Sequence, residues 1–472
     1  MADSKKLQVA MFPWLAFGHI LPFFELAKKI AEKGHTVFFI STPRNIKRLP
    51  KIPHNLSPLM NLVELPFPHE TINLPQNAEA TNDIPNHLIS FLMTAMDGLQ
   101  EPLAHFLETN TPDWIIHDAF CHWLPAIASK LGISKALFST ANASFSCFNG
   151  PLSSDNTHAY PPRTKVEHFT VPPEWITFPF KLAYKHFEAK NALALTRTDE
   201  NKTGISSFDR FKIIEEGTDV YLYRTCSEIE EDSLNFLRKM YGKHVIPVGL
   251  LPGSEHDNAD VKDSNWETIV EWLNKQEKRS VVYVALGSEV QPSQEDITQL
   301  ALGLEISGLP FFWALRKRNG VGDNVAIKLP DGFEERTTGR GIVCTDWVPQ
   351  RKILGHESVG GFVTHCGWSS LLEGLQFGIP LIMLPFINDQ VLNARFFDKE
   401  TGLEVPKNEQ DGSFTSNSVA ESIRIVVKEE QGRAYREKAK KMSKIFKDRH
   451  LHDKYIEKLI EFMQTKGRNN NI

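Results

Sequence analysis

The sequence predicts an α/β protein built from two doubly wound, parallel-sheet domains that face each other across a cleft. Both halves of the chain alternate short apolar runs with amphipathic helical segments, an order that implies parallel strands joined by helical crossovers. The 472 residues are more than one ordinary core requires. A Pro- and Gly-rich change of composition near residue 246 separates the two series. A cleft between two such domains is a common ligand site.

The first domain is predicted at residues 1–245. It opens with a strand at residues 9–14, a helix at 19–33 and a strand at 36–40. The helix has an apolar stripe at helical spacing, formed by Phe23, Leu26, Ala27, Ile30 and Ala31. Further strands of this domain are predicted at residues 114–117, 135–138 and 220–223. The order strand–helix–strand places these strands in one sheet that helices cover on both faces.

The linker is predicted at residues 246–265, where a Pro- and Gly-rich stretch is followed by a polar run. The second domain, residues 266–445, then repeats the α/β pattern. Its predicted elements are strands at 280–286, 310–316, 341–345, 360–364 and 380–384, and a helix at 294–306. Helices at residues 434–446 and 451–464 are predicted near the end of the chain.

Charge and composition exclude several classes of partner. The chain has 58 acidic and 53 basic residues, and this net charge of −5 argues against a broad surface for nucleic acid or anionic membranes. No stretch approaches the roughly 18 apolar residues that span a bilayer. The apolar start, residues 7–14, is followed by no small-residue cleavage site, so it predicts a buried strand and not a signal peptide. Five scattered cysteines without a Cys-x-x-Cys pair favour a reduced, cytoplasmic protein.

The densest group of chemical side chains lies in residues 347–390, where three strand ends open into loops or helix starts. Trp347 follows one strand and could stack on a flat base, although a lone Trp is more often part of a core. The run from His365 to Ser370 closes a second strand and opens a helix. The free N–H groups of a helix N-terminus suit a diphosphate, and Gly367 lets a ligand approach the backbone closely.

The helix that begins near Gly367 also has polar side chains in its first turns. Ser369 or Ser370 could bind a phosphate oxygen or simply cap the helix. Glu373 lies three residues beyond Ser370 on the same helical face, where its carboxylate could accept both hydroxyls of a ribose. Asp389 and Gln390 follow the third strand and offer enough hydrogen-bonding groups to hold a sugar ring, or to cap the next helix.

A candidate general base lies in the first domain. His19 stands at a helix start in the turn after the first strand, where the positive helix terminus is expected to keep the imidazole neutral and able to accept a proton. Asp118 ends another strand, and we expect it at the same sheet edge. It could then bind the far nitrogen of His19 and fix its tautomer, as the acid does in serine hydrolase triads.

The stretch from Trp347 to Gln390 resembles the 44-residue signature box of plant secondary-product UDP-glycosyltransferases, in length, at both ends and at nearly every marked position. The resemblance implies a GT-B fold, with the acceptor in the first domain, the donor mostly in the second, and a last helix, residues 446–472, that crosses back to the first domain. It also implies a UDP-sugar as co-substrate, with no cofactor and no required metal. A monomer is expected.

The resemblance implies a role for each marked position. Trp347 would stack on uracil, Val348 would pair with it through its backbone, and Gln350 and Glu373 would hold the ribose. The implied diphosphate contacts are His365, Ser370 and Ser288 with the helix start at Gly367, and the implied sugar contacts are Trp368, Asp389 and Gln390. His19 and Asp118 match the family's catalytic pair, and Thr140 matches a residue near the sugar. The chain has Ser369 where the family usually has Asn, so one side-chain contact to the α-phosphate is in doubt.

Several further runs resemble the branch-forming subgroup, whose members add a sugar to one already attached to a flavonoid, terpenoid or saponin. These runs are residues 11–22, 41–45, 280–289 and 309–313. The expected reaction is an inverting transfer of a hexose, with glucose favoured by the terminal Gln390. Four aromatic residues are candidate walls for the lipophilic acceptor, although for each one taken singly core packing is the more common role: Phe17, Phe120, Phe145 and Phe148.

Three alternatives stay open. Relatives that use UDP-rhamnose also carry Asp-Gln at the end of the box, so a rhamnosyltransferase is one of them. A UDP-binding protein without turnover is the second, although the presence of both His19 and Asp118 counts against it. An oxidoreductase is the third, weakened by the absence of a Gly-x-Gly-x-x-Gly dinucleotide fingerprint.

Overall fold

The computed structural model describes residues 5–69, 72–152, 159–161, 163–197, 204–253, 264–316, 327–387 and 389–469. Within these residues the chain forms two parallel sheets, with helices on both faces of each. The strands are β1 Gln8–Phe12, β2 Thr36–Ser41, β3 Met60–Glu64, β4 Trp114–His117, β5 Ser134–Ser139, β6 Val220–Tyr223, β7 His244–Pro247, β8 Val281–Ala285, β9 Phe311–Ala314, β10 Gly341–Cys344, β11 Val359–Thr364, β12 Leu381–Met383 and β13 Gly402–Glu404.

The helices connect the strands as crossovers and extend the chain beyond the last strand. They are α1 Phe17–Glu32, α2 Pro43–Lys47, α3 Ile89–Asp97, α4 Gln100–Asn110, α5 Leu124–Lys130, α6 Ala143–Asn149, α7 His186–Arg197, α8 Ser207–Gly217, α9 Ser227–Tyr241, α10 Ser264–Asn274, α11 Gln294–Ser307, α12 Phe333–Arg336, α13 Gln350–Leu354, α14 Trp368–Gln376, α15 Asp389–Phe397, α16 Ser416–Val427, α17 Arg433–Phe446 and α18 Arg449–Asn469. No helix in the described part of the chain is both long and apolar enough to cross a lipid bilayer.

The first sheet has the strand order β3-β2-β1-β4-β5-β6-β7. Its order reverses between β1 and β4, where Phe12 pairs with His117 at the carboxyl ends of the two strands. The second sheet repeats this plan with the order β10-β9-β8-β11-β12-β13, and its order reverses between β8 and β11, where Ala285 pairs with Thr364. Ligands of open α/β sheets bind outside the carboxyl ends at such reversal points. Each sheet therefore offers one binding position.

The predicted α/β class, with two doubly wound sheets, is confirmed, and the two sheets face each other in the GT-B manner. The differences from the predicted elements lie at their ends. The first strand stops at Phe12 and not at residue 14, because Pro13 has no N–H to give to a neighbouring strand. Helix α1 begins at Phe17, two residues before the predicted start. The edge strand β3 was not predicted, since only Met60 of its five residues is fully buried and no apolar run marks it.

Both ends of the predicted linker, residues 246–265, lie in regular secondary structure. Residues 246 and 247 belong to the edge strand β7, and α10 already begins at Ser264. Residues 254–263 of the predicted linker lie outside the described residues.

The last helix packs on the first sheet, although it follows the second one in the sequence. Its apolar face, formed by Ile456, Leu459, Ile460 and Met463, lies in the same core cluster as Val9 of β1 and Trp114 of β4. The Trp114 indole N–H donates to the Met463 carbonyl at 3.1 Å. Helix α18 therefore ties the end of the chain to the first unit.

Candidate active site

One large cleft lies between the carboxyl edges of the two sheets. Its volume is about 1940 Å³, and it is lined both by the turn after β1 and by the start of α14. His19 and His365, from the reversal points of the two sheets, line this same cleft. The two halves of the predicted chemistry therefore share one space.

On the first sheet the structure brings His19 and Asp118 together. Asp118 directly follows β4, and its Oδ2 lies 2.8 Å from Nδ1 of His19. The same oxygen accepts the Trp14 N–H at 3.0 Å, and Oδ1 accepts the Ala119 N–H at 2.7 Å. Asp118 is 3% exposed, so both of its oxygens are held in place within the protein. Since Nδ1 of His19 faces a carboxylate, Nε2 is the nitrogen left to accept a proton.

Nearby carboxylates oppose the effect of burial on the pKa of His19. Burial lowers the pKa of His19, but the Asp118 charge and hydrogen bond, with Glu289 and Asp389 behind them, outweigh burial and raise the pKa above 6.5. That the helix terminus keeps this imidazole neutral near pH 7 stays a prediction. The same carboxylate charges stabilise the imidazolium that forms when His19 takes a proton.

We expect the acidic limb of kcat/KM to lie above pH 6.5, since a general base works only when it is deprotonated and the pKa of His19 is raised from 6.5. Glu289→Gln removes one of the charges that raise this pKa, so the limb should move to lower pH. A pH profile of kcat/KM for both proteins measures this. Glu305→Gln, on an exposed ion pair with Arg336, is the matched control and should leave the limb in place. A limb below pH 6.5, or an unmoved limb in Glu289→Gln, contradicts the assignment.

Aromatic side chains surround His19 on the first domain's side of the cleft. Phe120 stacks on Trp14 at 4.5 Å between ring centroids and meets the His19 ring edge-on at 5.9 Å. Phe17 and Phe145 also line the cleft, as predicted, and the hydroxyl of Thr140 lies 3.3 Å from Nδ1 of His19.

One of the predicted acceptor-wall residues, Phe148, lies in the core and not at the cleft. It is 0% exposed, does not line the cleft and packs against Phe169 and Tyr184. Its place on the inner side of α6 makes it a core residue, so its predicted contact with an acceptor is wrong. Phe145, on the same helix, faces the cleft instead.

The nucleotide end of the cleft is formed by the residues after β10. Trp347 is 55% exposed, an unusual state for so large an apolar ring and one suited to stacking on a base. Gln350 lies at the start of α13, and its Nε2 donates to Oε2 of Glu373 at 2.7 Å. The Tyr283 hydroxyl donates to Oε1 of Gln350 at 3.2 Å. This chain of hydrogen bonds holds the Glu373 carboxylate beside Gln350, as the predicted ribose site requires. Val348 is buried but also lines the cleft.

His365 lies between two glycines at the end of β11. A Cβ atom built on Gly287 would lie 2.5 Å from Cε1 of His365, and one on Gly367 would lie 2.5 Å from its Nε2. Burial, and then the charge of Arg316, lowers the pKa of His365 to about 4, so the ring is neutral at pH 7. Its Nδ1 is buried and has no hydrogen-bond partner among the described residues. His365 can therefore serve a diphosphate only as a neutral hydrogen-bond donor. The positive end of α14 adds its N–H groups, since Gly367 caps that helix without a side chain.

We expect Gly287→Ala to weaken UDP binding, because the added methyl group must displace the His365 ring. Gly308→Ala is the matched control: both glycines have a positive φ, +73° and +71°, but no atom of a described residue lies within 4 Å of a Cβ at Gly308. Both changes should cost about 1–2 kcal/mol of stability for the left-handed backbone. Only Gly287→Ala should also lose roughly tenfold in UDP affinity. Thermal unfolding and calorimetric titration with UDP measure the two effects, and equal UDP affinity in both variants would contradict the placement.

Trp368 lines the cleft, but most of its ring packs into the core. The ring is 3% exposed, stacks on Phe397 at 5.9 Å and donates its indole N–H to the Arg224 carbonyl at 2.9 Å. The indole N–H is therefore already used within the protein, and the predicted sugar contact of Trp368 stays a prediction. Ser369 is also engaged, since its Oγ accepts from Nη1 of Arg224 at 2.7 Å. Ser370, the next residue, and Ser288 line the cleft.

Asp389 and Gln390 lie at the start of α15 and line the cleft near His19. Oδ2 of Asp389 accepts from Asn393 at 3.1 Å, and burial raises the pKa of its carboxyl group. Oε1 of Gln390 accepts the N–H groups of Phe386 and Ile387, each at 3.2 Å. The amide is thus fixed by the backbone, which orients it for a ligand in the cleft.

Glu289 is a candidate site residue that the sequence analysis missed. Its Oε1 accepts from the Thr81 hydroxyl of the first unit at 2.9 Å, and burial raises the pKa of the carboxyl group. It also lies near enough to His19 to influence its pKa. Its place directly after Ser288, at the carboxyl end of β8, was an available signal.

Comparisons with known proteins agree with this geometry. Residues 225–464 match the family model described as UDP-glucoronosyl and UDP-glucosyl transferase. UDP-glycosyltransferase 91B1 of Arabidopsis thaliana is 48% identical over 468 residues, which cover 98% of this chain and 99% of the relative. Soyasaponin III rhamnosyltransferase of Glycine max is 42% identical over 473 residues, with 98% and 96% covered.

The fold also matches solved structures. The crystal structure of Glycyrrhiza uralensis UGT73P12, complexed with glycyrrhetinic acid 3-O-monoglucuronide, superposes with a TM-score of 0.79. The match covers 99% of this chain and 98% of that one, at 22% sequence identity. At this identity the likeness shows the fold, and the two sequence relatives show the family.

Proposed function

This chain belongs to the plant UDP-glycosyltransferases, and on that premise we propose that it transfers glucose from UDP-glucose, with inversion, to a sugar hydroxyl of a flavonoid or terpenoid glycoside. The observation that carries the proposal is that His19, held by Asp118, and the N-terminus of α14 with His365 line one cleft. A base and a diphosphate site in one cleft are what a direct displacement from a UDP-sugar requires.

In the proposed mechanism, Nε2 of His19 takes the proton of the acceptor hydroxyl while its oxygen attacks the anomeric carbon. The bond from that carbon to the diphosphate oxygen breaks on the opposite face, so one displacement inverts the anomeric configuration and UDP leaves with the electron pair. Asp118 stabilises the imidazolium through Nδ1. His365, Ser370, Ser288 and the N-terminus of α14 would stabilise the charge that develops on the diphosphate.

We assign the contacts to the donor from the positions of the residues that line the cleft. Trp347 would stack on uracil while Val348 pairs with it, and the linked pair Gln350–Glu373 would hold the ribose. Asp389 and Gln390 would hold the transferred sugar, with Thr140 beside it. That no metal is required stays a prediction, as do a monomeric state and a cytoplasmic location; the latter is supported by five free cysteines.

A glycoside acceptor is supported by the size and lining of the cleft. Ordinary ligand pockets measure roughly 300–1,000 Å³, whereas this cleft measures about 1940 Å³. The excess leaves room for a bulky acceptor beside the UDP-sugar, and Phe17, Phe120 and Phe145 would cover its flat or apolar part. Four motifs of the branch-forming subgroup point the same way.

UDP-rhamnose is the second candidate donor. A 42% identical relative is a rhamnosyltransferase by name, and Asp389-Gln390 suits both sugars. Glucose is preferred because a terminal Gln such as Gln390 is associated with it.

Mass spectrometry of products from paired donors and acceptors tests the proposal. UDP-glucose and UDP-rhamnose are each incubated with flavonoid and terpenoid aglycones and with their monoglucosides. We expect a mass gain of one hexose on the monoglucosides with UDP-glucose, and NMR of the product should show the inverted anomer. A deoxyhexose product alone would replace glucose by rhamnose. Binding of UDP without any product would favour a protein without turnover, and a fluorescence change of NADH without UDP binding would favour an oxidoreductase.

A further inference from the structure

Arg224 brings an unassigned positive charge to the nucleotide end of the cleft. It directly follows β6, so it reaches the cleft from the carboxyl edge of the first sheet, opposite the helix start on the second. It is 6% exposed and lines the cleft. Arg224 lies outside the signature box of residues 347–390.

Two of the three guanidinium nitrogens of Arg224 are held by hydrogen bonds, one of them to the start of α14. Nε donates to the Leu250 carbonyl at 3.0 Å, and Nη1 donates to Oγ of Ser369 at 2.7 Å. The carbonyl oxygen of Arg224 accepts the Trp368 indole N–H at 2.9 Å. Nη2 has no hydrogen-bond partner among the residues that the structure describes. Unlike Nδ1 of His365, it is not a fully buried atom, so a ligand in the cleft can reach it.

The charge of Arg224 is not neutralised within the described part of the chain. Burial lowers the pKa of Arg224 to about 10, so the guanidinium stays charged at pH 7. Arg224 forms no ion pair with a carboxylate of a described residue, and the charges of Glu373 and then Glu25 act on it from further away. A buried cation without a partner is costly, and the positive end of α14 beside it adds repulsion. An anion between the two would relieve both.

We propose that Nη2 of Arg224 donates to the α-phosphate of the UDP-sugar and so replaces the contact that Asn makes at position 369 in most of the family. The α-phosphate is indicated for two reasons. Arg224 is bonded to Ser369 at the start of α14, and its guanidinium is near enough to Glu373, the residue that would hold the ribose, for the Glu373 charge to raise the pKa of Arg224. Ser369 then acts as a positioning residue that orients the guanidinium. This inference rests on the proposed UDP-sugar donor, and it makes the nucleotide a bridge between the two units.

A purely structural role is the competing explanation. In that case Arg224 would only fasten α14 to the first unit, and its loss would weaken every ligand of the nucleotide site by the same factor. A contact to phosphate instead predicts a loss confined to ligands that carry a phosphate.

Calorimetric titration of Arg224→Gln with uridine, UMP and UDP separates the two roles. We expect UMP and UDP to bind about tenfold to 100-fold more weakly than to the wild type, the range for one charge-assisted hydrogen bond, while uridine is unchanged. Ser369→Ala should show the same pattern with a smaller loss, since the guanidinium keeps its bond to Leu250. Adding Ser369→Asn to Arg224→Gln should recover part of the UMP affinity, because the amide can supply the family's usual contact.

Uridine serves as the internal test of folding, and three outcomes would overturn the inference. These are an equal loss for uridine and UMP, unchanged affinity for UMP and UDP in Arg224→Gln, and no recovery in the double variant. With wild-type UDP binding and product formation intact, such results refute the role of Arg224 alone. A wild-type protein that binds no UDP would refute the proposed function together with this inference.

Discussion

His19→Ala should lower kcat by roughly 10²- to 10⁴-fold while leaving the affinity for UDP unchanged, because it removes the general base and no nucleotide contact. The imidazole lies on the first sheet's side of the cleft, 2.8 Å from Asp118. The nucleotide end is built from residues of the second unit, with Arg224 reaching it from the first. Initial rates of glycoside formation and calorimetric titration with UDP measure the two quantities separately.

The control for this variant is His105→Ala, which removes an exposed imidazole on α4. It should retain both turnover and UDP affinity. Turnover of His19→Ala within a few-fold of the wild type would remove His19 from the role of base. A parallel loss of UDP affinity would show instead that the ring supports the donor site.

Asp118→Asn should lower kcat/KM by roughly 10²- to 10⁴-fold, as the equivalent change does in a serine protease triad. Oδ2 accepts from both His19 Nδ1 and the Trp14 N–H, and Oδ1 accepts the Ala119 N–H. An asparagine has only one acceptor oxygen, so its NH₂ group must face a donor in either orientation. If that group faces His19, Nδ1 becomes the acceptor and Nε2 carries the proton, which is the wrong tautomer for a base.

The same variant should shift the pH profile in a defined direction. The Asp118 charge raises the pKa of His19, so its loss lowers that pKa and moves the acidic limb of kcat/KM to lower pH, while the plateau falls. Asp113→Asn is the matched control at the other end of β4, where the carboxylate accepts the Gln8 N–H at 2.8 Å. It should change stability without moving the limb. A wild-type plateau in Asp118→Asn would contradict the positioning role.

Local patterns in the sequence were enough to identify the family and most of the candidate site. The signature box predicted a family that the comparisons confirm. His19, Asp118 and His365 each lie at the carboxyl end of a strand that its apolar run made recognisable. Parallel strands bring such ends to one edge of a sheet, so these positions followed from the order of the elements alone.

The errors concern side-chain direction on helices. Phe145 and Phe148 lie three residues apart on α6, and only the packing of that helix decides that Phe145 lines the cleft while Phe148 is buried. Packing likewise decides that the Trp368 indole N–H, at the edge of the cleft, donates to the Arg224 carbonyl. Composition and spacing do not distinguish an aromatic ring that lines a cleft from one that fills a core.

The sequence by itself determined the fold class, the family and the residues at the strand ends, because short-range periodicity and strand order are local properties of the chain. Only the tertiary structure decided which distant groups meet in the cleft. Arg224 and Ser369 are 145 residues apart, and Thr81 and Glu289 are 208 apart. Their hydrogen bonds depend on how the two sheets face each other, which is set by the sum of many weak packing contacts and by no single motif.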